Sequence, residues 1–316
     1  MPASKKTSAG KPANARPKAS TARAKDPAAT PAPALADVRA QIDGIDRRIQ
    51  ELIAQRAGFA LQVGKAKGKL AAAVDYYRPE REAQVLRKVV DRNDGPLSDE
   101  VLVRLFREIM SACLAQQEPL KIGYLGPEGT FSQQAVLKHF GRSAHGLPLA
   151  SIEEVFQEVE AGNADFGVVP VENSGQGTIQ VTLDMFLTSQ LKICGEVELK
   201  VHQYLLSRSG RIDDIERIYA HPQAFAQTSG WMRANLPRAE KVPVSSNAEG
   251  ARRARNADDA AAIAGESAAH VYGLKKVIMS SIQDDKDNTT RFLVVGRQIF
   301  PPSGHDRTSV LVFIHD

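Results

Sequence analysis

Arg56 and Lys67 are two cations in a helical pattern whose other seam positions are almost all apolar. They lie eleven residues apart, so at about 100° per residue both point from one helix face. A charge on such a seam is costly unless it is paired. Arg56 therefore snorkels, meets a buried carboxylate, or faces an anionic ligand. Arg81 and Glu82 open the following helical stretch, and Gln117 interrupts the apolar face of the one after it. Several cations converging on a helical interior, with no anionic excess to neutralise them, point to an anionic small molecule.

A second group of polar motifs lies where short apolar runs end. Gly126-Pro127-Glu128-Gly129 follows such a run and precedes a helical stretch, so its backbone amides could hold an anion. A plain β–α turn fits it equally well. Glu172-Asn173-Ser174-Gly175-Gln176-Gly177-Thr178 is long for a simple turn, and Asn288-Thr289-Thr290-Arg291-Phe292 begins the last strand after a highly charged loop. His221 before Pro222 is either a cleft residue or a helix-start residue. The histidines show no HExxH or HxH spacing, and Cys113 and Cys194 stand alone with no CxxC. No metal site, cofactor site or disulfide framework is readable, which suits a reducing, cytoplasmic compartment.

These residues need elements to hold them. Leu35, Val38, Ile42, Ile45, Ile49, Leu52, Phe59, Val63, Ala66 and Leu70 alternate by threes and fours. The spacing predicts one helix of about 36 residues, roughly 54 Å long, with a coiled-coil-like seam. Such a helix outgrows a small domain and calls for a partner chain. A second helix opens at Arg78-Pro79 and stops at Asn93-Asp94-Gly95-Pro96. A third has Ser98 as N-cap and runs through Leu105, Phe106, Ile109 and Cys113 to Gln117. An all-α three-helix unit over 35–119, intertwined as a dimer, follows.

From Leu120 the periodicity changes. Strand patterns at 121–126, 166–171, 204–207, 217–220, 242–245, 260–264, 277–281 and 291–295 alternate with helical stretches around 152–161, 224–235, 248–256 and 266–272. Such alternation predicts an α/β domain over 120–300 with parallel sheets, built as two small lobes around a cleft.

Charge confines the remaining possibilities. The chain of 316 residues has a formal net charge of +4. Residues 1–34 hold seven Lys/Arg against Asp26 alone, together with six of the 17 prolines, so the remainder is slightly acidic. The basicity belongs to a tail without Val, Ile, Leu or aromatic residues before Leu35, which is expected to be disordered. Specific nucleic-acid binding is not expected of the folded part. No run of about 18 apolar residues exists to span a membrane, and the tail has neither a secretory apolar core nor an amphipathic transit face.

Four motifs in order over 35–117 resemble the all-helical chorismate mutase family: Leu35 to Arg39, Gln55-Arg56 with Val63 to Lys67, Arg78-Pro79-Glu80-Arg81-Glu82, and Phe106 to Gln117. The resemblance implies rearrangement of chorismate to prephenate with no cofactor. It places Arg39 and Arg56 on the substrate carboxylates, Lys67 and Gln117 on the breaking ether oxygen, Glu82 on the ring hydroxyl, and Arg78 and Arg81 nearby. Arg39 lies about 100° from Arg56 around the helix, and the resemblance has it enter from the partner chain of a homodimer. Cys113 stands where a serine commonly assists a carboxylate, and Arg78 where some members have aspartate.

The later segment resembles prephenate dehydratase through Gly126-Pro127-Glu128-Gly129-Thr130-Phe131-Ser132, Val169 to Ser174, His221-Pro222-Gln223 and Thr290-Arg291-Phe292. Its fold would be two-lobed α/β, of the periplasmic-binding-protein type II kind. The resemblance makes Thr290 the essential hydroxyl at the leaving group and Arg291 a support for substrate binding, with Phe292 beside them. Glu172, Asn173, Ser174 and Gln223 would line the cleft. The first product is the second substrate, so the two segments together resemble the bifunctional enzyme of phenylalanine synthesis. In that family an ACT regulatory domain follows. Residues 307–316 resemble its first strand, and the remainder is expected to be truncated. Two rivals exist, a solute-binding protein and a non-enzymatic helical dimerisation module. The first would carry an export signal, and the second leaves Arg56, Lys67 and Gln117 unexplained.

Overall fold

The computed structural model describes residues 35–67, 77–175, 177–308 and 310. The basic tail, Leu70, Gln176 and residues 311–316 lie outside the described residues, as does the side chain of Lys67. By its backbone contacts the chain divides into two units, 1–50 and 51–316. The described part of the first unit is helical throughout, the opening turns of α1 (Leu35–Lys67).

α1 is proline-free and rich in Ala, Leu, Gln and Arg, all good helix formers. Its seam residues Ile42, Ile45, Ile49, Leu52 and Phe59 are all exposed in the single chain. α2 (Pro79–Asp91) starts where its proline lacks only an N–H that would be unpaired anyway. Its exit loop is tied by Asn93, whose side-chain amide donates to the Leu97 carbonyl at 2.9 Å and to Asp99 Oδ1 at 2.7 Å. α3 (Asp99–Ala115) follows with Ser98 at the N-cap position, although the serine hydroxyl accepts no capping bond from the helix amides. The helix ends two residues earlier than its periodicity suggests, so Gln117 sits beyond the C-cap, Gln116.

The rest is two α/β lobes. In the first, the strands are β1 (Lys121–Leu125), β2 (His145–Leu149), β3 (Phe166–Asn173), β4 (Gly177–Thr178), β5 (Lys192–Lys200) and β11 (Thr289–Gly296), in the order β2-β1-β3-β11-β5 with β4 beside β3. The helices α4 (Phe131–Phe140), α5 (Ile152–Ala161) and α6 (Gln180–Thr188) complete this lobe. In the second lobe, β6 (Tyr204–Ser207), β7 (Arg217–Ala220), β8 (Glu240–Pro243), β9 (Ala260–Ala264) and β10 (Lys275–Lys276) lie in the order β10-β6-β9-β7-β8. Its helices are α7 (Pro222–Gln227), α8 (Ser229–Asn235), α9 (Asn247–Ala254) and α10 (Glu266–Tyr272).

Both sheets are mixed, which corrects the parallel sheets expected from alternation. β1 is parallel to β2 and β3, but β11 runs antiparallel to both β3 and β5. In the second lobe β9 is parallel to β7 and antiparallel to β6. The cause is connectivity. The chain crosses to the second lobe after β5 and returns for β11, so one late strand is inserted into the first sheet. The two crossings lie side by side, with Val201 N–H donating to the Asn288 carbonyl at 2.8 Å and Gln283 Nε2 to the Val201 carbonyl at 2.7 Å.

Three elements escape the sequence pattern. β2 carries a glycine and Pro148, tolerable because it is an edge strand. β5 mixes charges with apolar residues on the opposite edge. α6 carries β-branched residues that read as strand. Conversely, residues 277–280 form bends and 281 is irregular, in place of the expected strand. Tyr77, Leu120, Ile122, Phe140, Phe166 and Phe292 share one buried cluster under α4. Tyr77, two residues before α2, is therefore packed into the first lobe's core.

Candidate active sites

The first cavity, of about 360 Å³, is lined by Arg56, Arg78, Arg81 and Arg107 with Glu82 as the acid among them. Its apolar floor comes from Val63, Val85, Met110 and Leu114, and its far wall from Leu120, Phe140, Ser143 and Ala144. Four guanidinium groups around one carboxylate leave an excess of positive charge, and planar N–H forks are matched to carboxylates. The cavity is built for a compact organic anion.

Glu82 is the best-anchored group there. Arg107 Nε donates to its Oε1 at 3.1 Å, and Arg107 Nη1 donates to the Lys138 carbonyl at 3.0 Å. Burial raises the Glu82 pKa, while Arg107 and the Tyr77 hydroxyl pull it back down. Burial also holds Tyr77 well above the ordinary phenol value. Behind Tyr77, at 3.5 Å from its hydroxyl, lies His139 Nε2. Burial and the nearby Arg107 charge lower the His139 pKa to about 3, so the ring is neutral at any ordinary pH.

Of the residues expected at this site, Arg56, Arg78, Arg81 and Glu82 come together. Arg39 is exposed on α1, and the Lys67 side chain is outside the described residues. Cys113 is buried but does not line the cavity, where Ser111 appears instead. Gln117 is likewise absent from the lining. It packs on α1, its Oε1 standing 2.8 Å from where a β-carbon on Gly64 would be and lacking a hydrogen-bond partner. Arg107 and Ser111 were missed from sequence. Arg107 shares a helix face with Met110 and Leu114, so it could have been found by the criterion that singled out Arg56.

The second cavity, about 300 Å³, lies in the cleft between the lobes. None of the described residues lining it is Asp, Glu, Lys or Arg. Neutral donors take their place. Thr130, the N-cap of α4, and Ser246, the N-cap of α9, both line the cleft, their hydroxyls accepting from Gln133 N–H and Glu249 N–H. Each helix thus turns its amino end, where free N–H groups and the dipole favour an anion, toward the same space. Gln203, Gln223, Gln227 and Asn247 add side-chain amides. Across the cleft mouth the Tyr272 hydroxyl donates to the Glu128 carbonyl at 2.9 Å. Gly129, at φ +85°, lets the loop approach this closely, since a β-carbon would meet Tyr272 at 3.0 Å and Ala268 at 3.1 Å.

Thr290, the second residue of β11, lies directly opposite Asn173 at the end of β3. Asn173 Nδ2 donates to Thr290 Oγ1 at 2.8 Å and to Asn288 Oδ1 at 3.0 Å, while Asn173 Oδ1 accepts from Gly175 N–H at 3.0 Å. All three side chains are buried and line the cleft.

Strand alternation sends their neighbours elsewhere, and this corrects part of the expected site. Glu172, Ser174 and Arg291 do not line the cleft. Glu172 and Arg291 face each other across the β3–β11 pair, with Arg291 Nη1 3.4 Å from Glu172 Oε2 and Nε 3.8 Å from Glu196 Oε1. The run from Glu172 to Thr178, expected to follow a strand, holds the end of β3 and the β4 return. Ser174 is spent on the backbone, its hydroxyl accepting from Thr289 N–H at 3.0 Å. Gln223 and Phe292 do line the cleft. His221 does so too, but as the N-cap of α7, with Nδ1 accepting from Gln223 N–H at 3.2 Å. Among the described residues no cluster of His, Cys, Asp and Glu could hold a metal ion. No described helix is long and apolar enough to cross a membrane.

Two families together match most of the chain. The Chorismate mutase type II family matches residues 38–118 and the Prephenate dehydratase family matches residues 122–299. A bifunctional chorismate mutase/prephenate dehydratase from Stutzerimonas stutzeri is 51% identical over 280 residues, spanning 87% of this chain and 76% of that one. One from Neisseria gonorrhoeae is 48% identical over 277 residues, 87% of this chain and 75% of its own. Among solved structures, the prephenate dehydratase from Arthrobacter aurescens in complex with L-Phe aligns at 35% identity with a TM-score of 0.54, over 60% of this chain and 63% of that chain.

Proposed function

The chain belongs to the family of bifunctional chorismate mutase/prephenate dehydratases, and from that premise we propose how its residues divide the two reactions of phenylalanine synthesis. We take 35–119 as the mutase domain and 120–300 as the dehydratase domain.

The first cavity takes chorismate. The rearrangement needs no covalent help, only a compact reactive conformer and donors aimed at the charge that gathers on the breaking ether oxygen. Arg56, with Arg78 and Arg81, grips the substrate carboxylates, and Glu82 accepts from the ring hydroxyl. Lys67 and Gln117 supply the donors at the ether oxygen. Arg39 reaches the site of a partner copy, because the exposed apolar seam of α1 is buried by a second α1 in a homodimer. Both reactions run in the cytoplasm.

The second cavity takes prephenate. As the ring carboxylate leaves as carbon dioxide, its bonding electrons enter the ring and the ring hydroxyl departs. That oxygen takes a proton and leaves as water, so prephenate dianion plus one proton gives phenylpyruvate, carbon dioxide and water. The observation that carries this reading is the hydrogen-bond order at Thr290. Asn173 donates to Oγ1, so the threonine's own proton is free to point into the cleft at the leaving oxygen. Neutral amides and helix amino ends hold the carboxylates without the tight ion pair that would resist decarboxylation.

Chorismate disappearance and phenylpyruvate appearance, measured separately on purified protein, test the division. Thr290→Ala should stop phenylpyruvate formation from supplied prephenate while chorismate is still consumed. Arg56→Ala should do the converse. A variant that stops both or neither overturns the assignment.

A further inference from the structure

Among the described residues, Arg107 is the one cation lining the first cavity to which the family resemblance gives no role. Its guanidinium is already engaged on two sides. Its Nε donates to Glu82 at 3.1 Å and its Nη1 to the Lys138 carbonyl at 3.0 Å, so two elements clamp the guanidinium. The pair is well sheltered, with 23% of the Arg107 side chain and 17% of the Glu82 side chain exposed. The geometry points to Arg107 as a positioning residue for the mutase reaction, one that fixes Glu82 as an ionised acceptor for the substrate's ring hydroxyl. This rests on the reading of Glu82 given above.

The clamp occupies Oε1, the Tyr77 hydroxyl bonds to the carboxylate as well, and what acceptor capacity is left faces a ligand. It also opposes protonation. Burial drives Glu82 toward its neutral form, which would donate a hydrogen bond where the reaction needs an acceptor. The other charged and titratable groups around it are the Tyr77 hydroxyl, which bonds to it, neutral His139 behind Tyr77, Glu80 two residues earlier, and the cavity arginines Arg56, Arg78 and Arg81. Arg78 is engaged with Glu80 at 3.9 Å. Arg107 is the cation in direct contact with the carboxylate.

The test uses the whole chain with Arg107→Gln, Arg107→Lys and Glu82→Gln, assaying both activities between about pH 5 and 8, a window above the unperturbed Glu value. Arg107→Gln should lower mutase kcat/KM by roughly 10–100-fold near neutrality. It should also add a limb on which activity recovers as pH rises and Glu82 ionises. Arg107→Lys restores the charge and should remove that limb, with only part of the rate regained. Dehydratase activity on supplied prephenate should stay within about twofold of wild type, which reports an intact fold. A merely structural arginine would lower the mutase rate equally at all pH values, and that result overturns the inference, as does a wild-type profile. If Glu82→Gln is itself fully active, the reading of Glu82 falls. If Glu82→Gln is impaired and Arg107→Gln is not, the inference about Arg107 alone falls.

Discussion

Asn173 donates its side-chain amide to the Thr290 hydroxyl at 2.8 Å, and the Gly175 amide, by bonding to Asn173 Oδ1 at 3.0 Å, forbids the flipped arrangement. A backbone N–H can only donate, so the oxygen end of the Asn173 amide must face it. The nitrogen end then faces Thr290 and Asn288, and the threonine proton is left for the cleft. Asn173→Asp should reverse this polarity, because a carboxylate would take that proton. The expected loss in dehydratase kcat is roughly 10–100-fold, the cost of one buried hydrogen bond made the wrong way. Mutase activity of the same variant should be unchanged. Equal dehydratase kcat in wild type and Asn173→Asp would show that the threonine proton is not what matters.

Arg56 should be nearly irreplaceable for the mutase. Arg56→Ala removes a charge-assisted, two-pronged contact and should cost roughly 10²-fold or more in mutase kcat/KM. Arg56→Lys keeps the charge and loses the fork, and most of that loss should remain. Steady-state assays of both variants with chorismate, alongside dehydratase assays with prephenate, decide the point.

The α1 seam predicts an oligomer. Ile42, Ile45 and Ile49 are 50%, 54% and 49% exposed in the single chain, too much aliphatic surface in one stripe to leave in water. Ile45→Glu should dissociate the protein to monomers in sedimentation and abolish mutase activity. Phenylpyruvate formation from prephenate should persist.

Gln117 offers a pH signature. An amide donates at any pH, but Gln117→Glu must be protonated to donate, so its mutase activity should fall as pH rises from about 5 to 8. Gly64→Ala should act on the same residue from the other side. Its new β-carbon would stand 2.8 Å from Gln117 Oε1 and must displace that side chain. A loss of mutase activity larger than the loss of thermal stability is the expected result.

His139 should make the protein acid-sensitive. Its pKa is lowered from 6.5 to about 3 in the folded protein, so between those values the unfolded chain binds the extra proton. Stability is therefore full above about pH 6.5 and declines as pH falls through that window. The slope should be below the limit of about 1.4 kcal/mol per pH unit, because the ring keeps partial contact with solvent. His139→Gln should flatten the decline. Denaturant titrations of both proteins near pH 7 and pH 5 measure it.

Local pattern was enough to determine much of this protein. The seam that predicted α1 needs no partner to be read, since apolar residues every three or four positions have one helical meaning. Arg56 stood out on that seam because a cation there violates its surroundings, and Thr290 stood out through its motif. Arg56 lines the first cavity and Thr290 the second.

What local pattern could not carry was the side of a strand and the contents of an interface. Thr290 and Arg291 are adjacent in one motif, yet the pleat sends Thr290 into the cleft and Arg291 to Glu172 and Glu196 on the opposite face. Which face becomes the cleft is decided by β11 returning from the second lobe to lie between β3 and β5, where Thr290 pairs with Asn173 and Leu199, both far back along the chain. Arg107 depends in the same way on a meeting of distant segments, since its role is set by Glu82 on another helix and by the Lys138 carbonyl on a third. Periodicity reports which face of an element is buried. The partner met on that face is fixed only when the whole chain packs, because close packing joins residues by shape and hydrogen-bond satisfaction rather than by distance along the sequence.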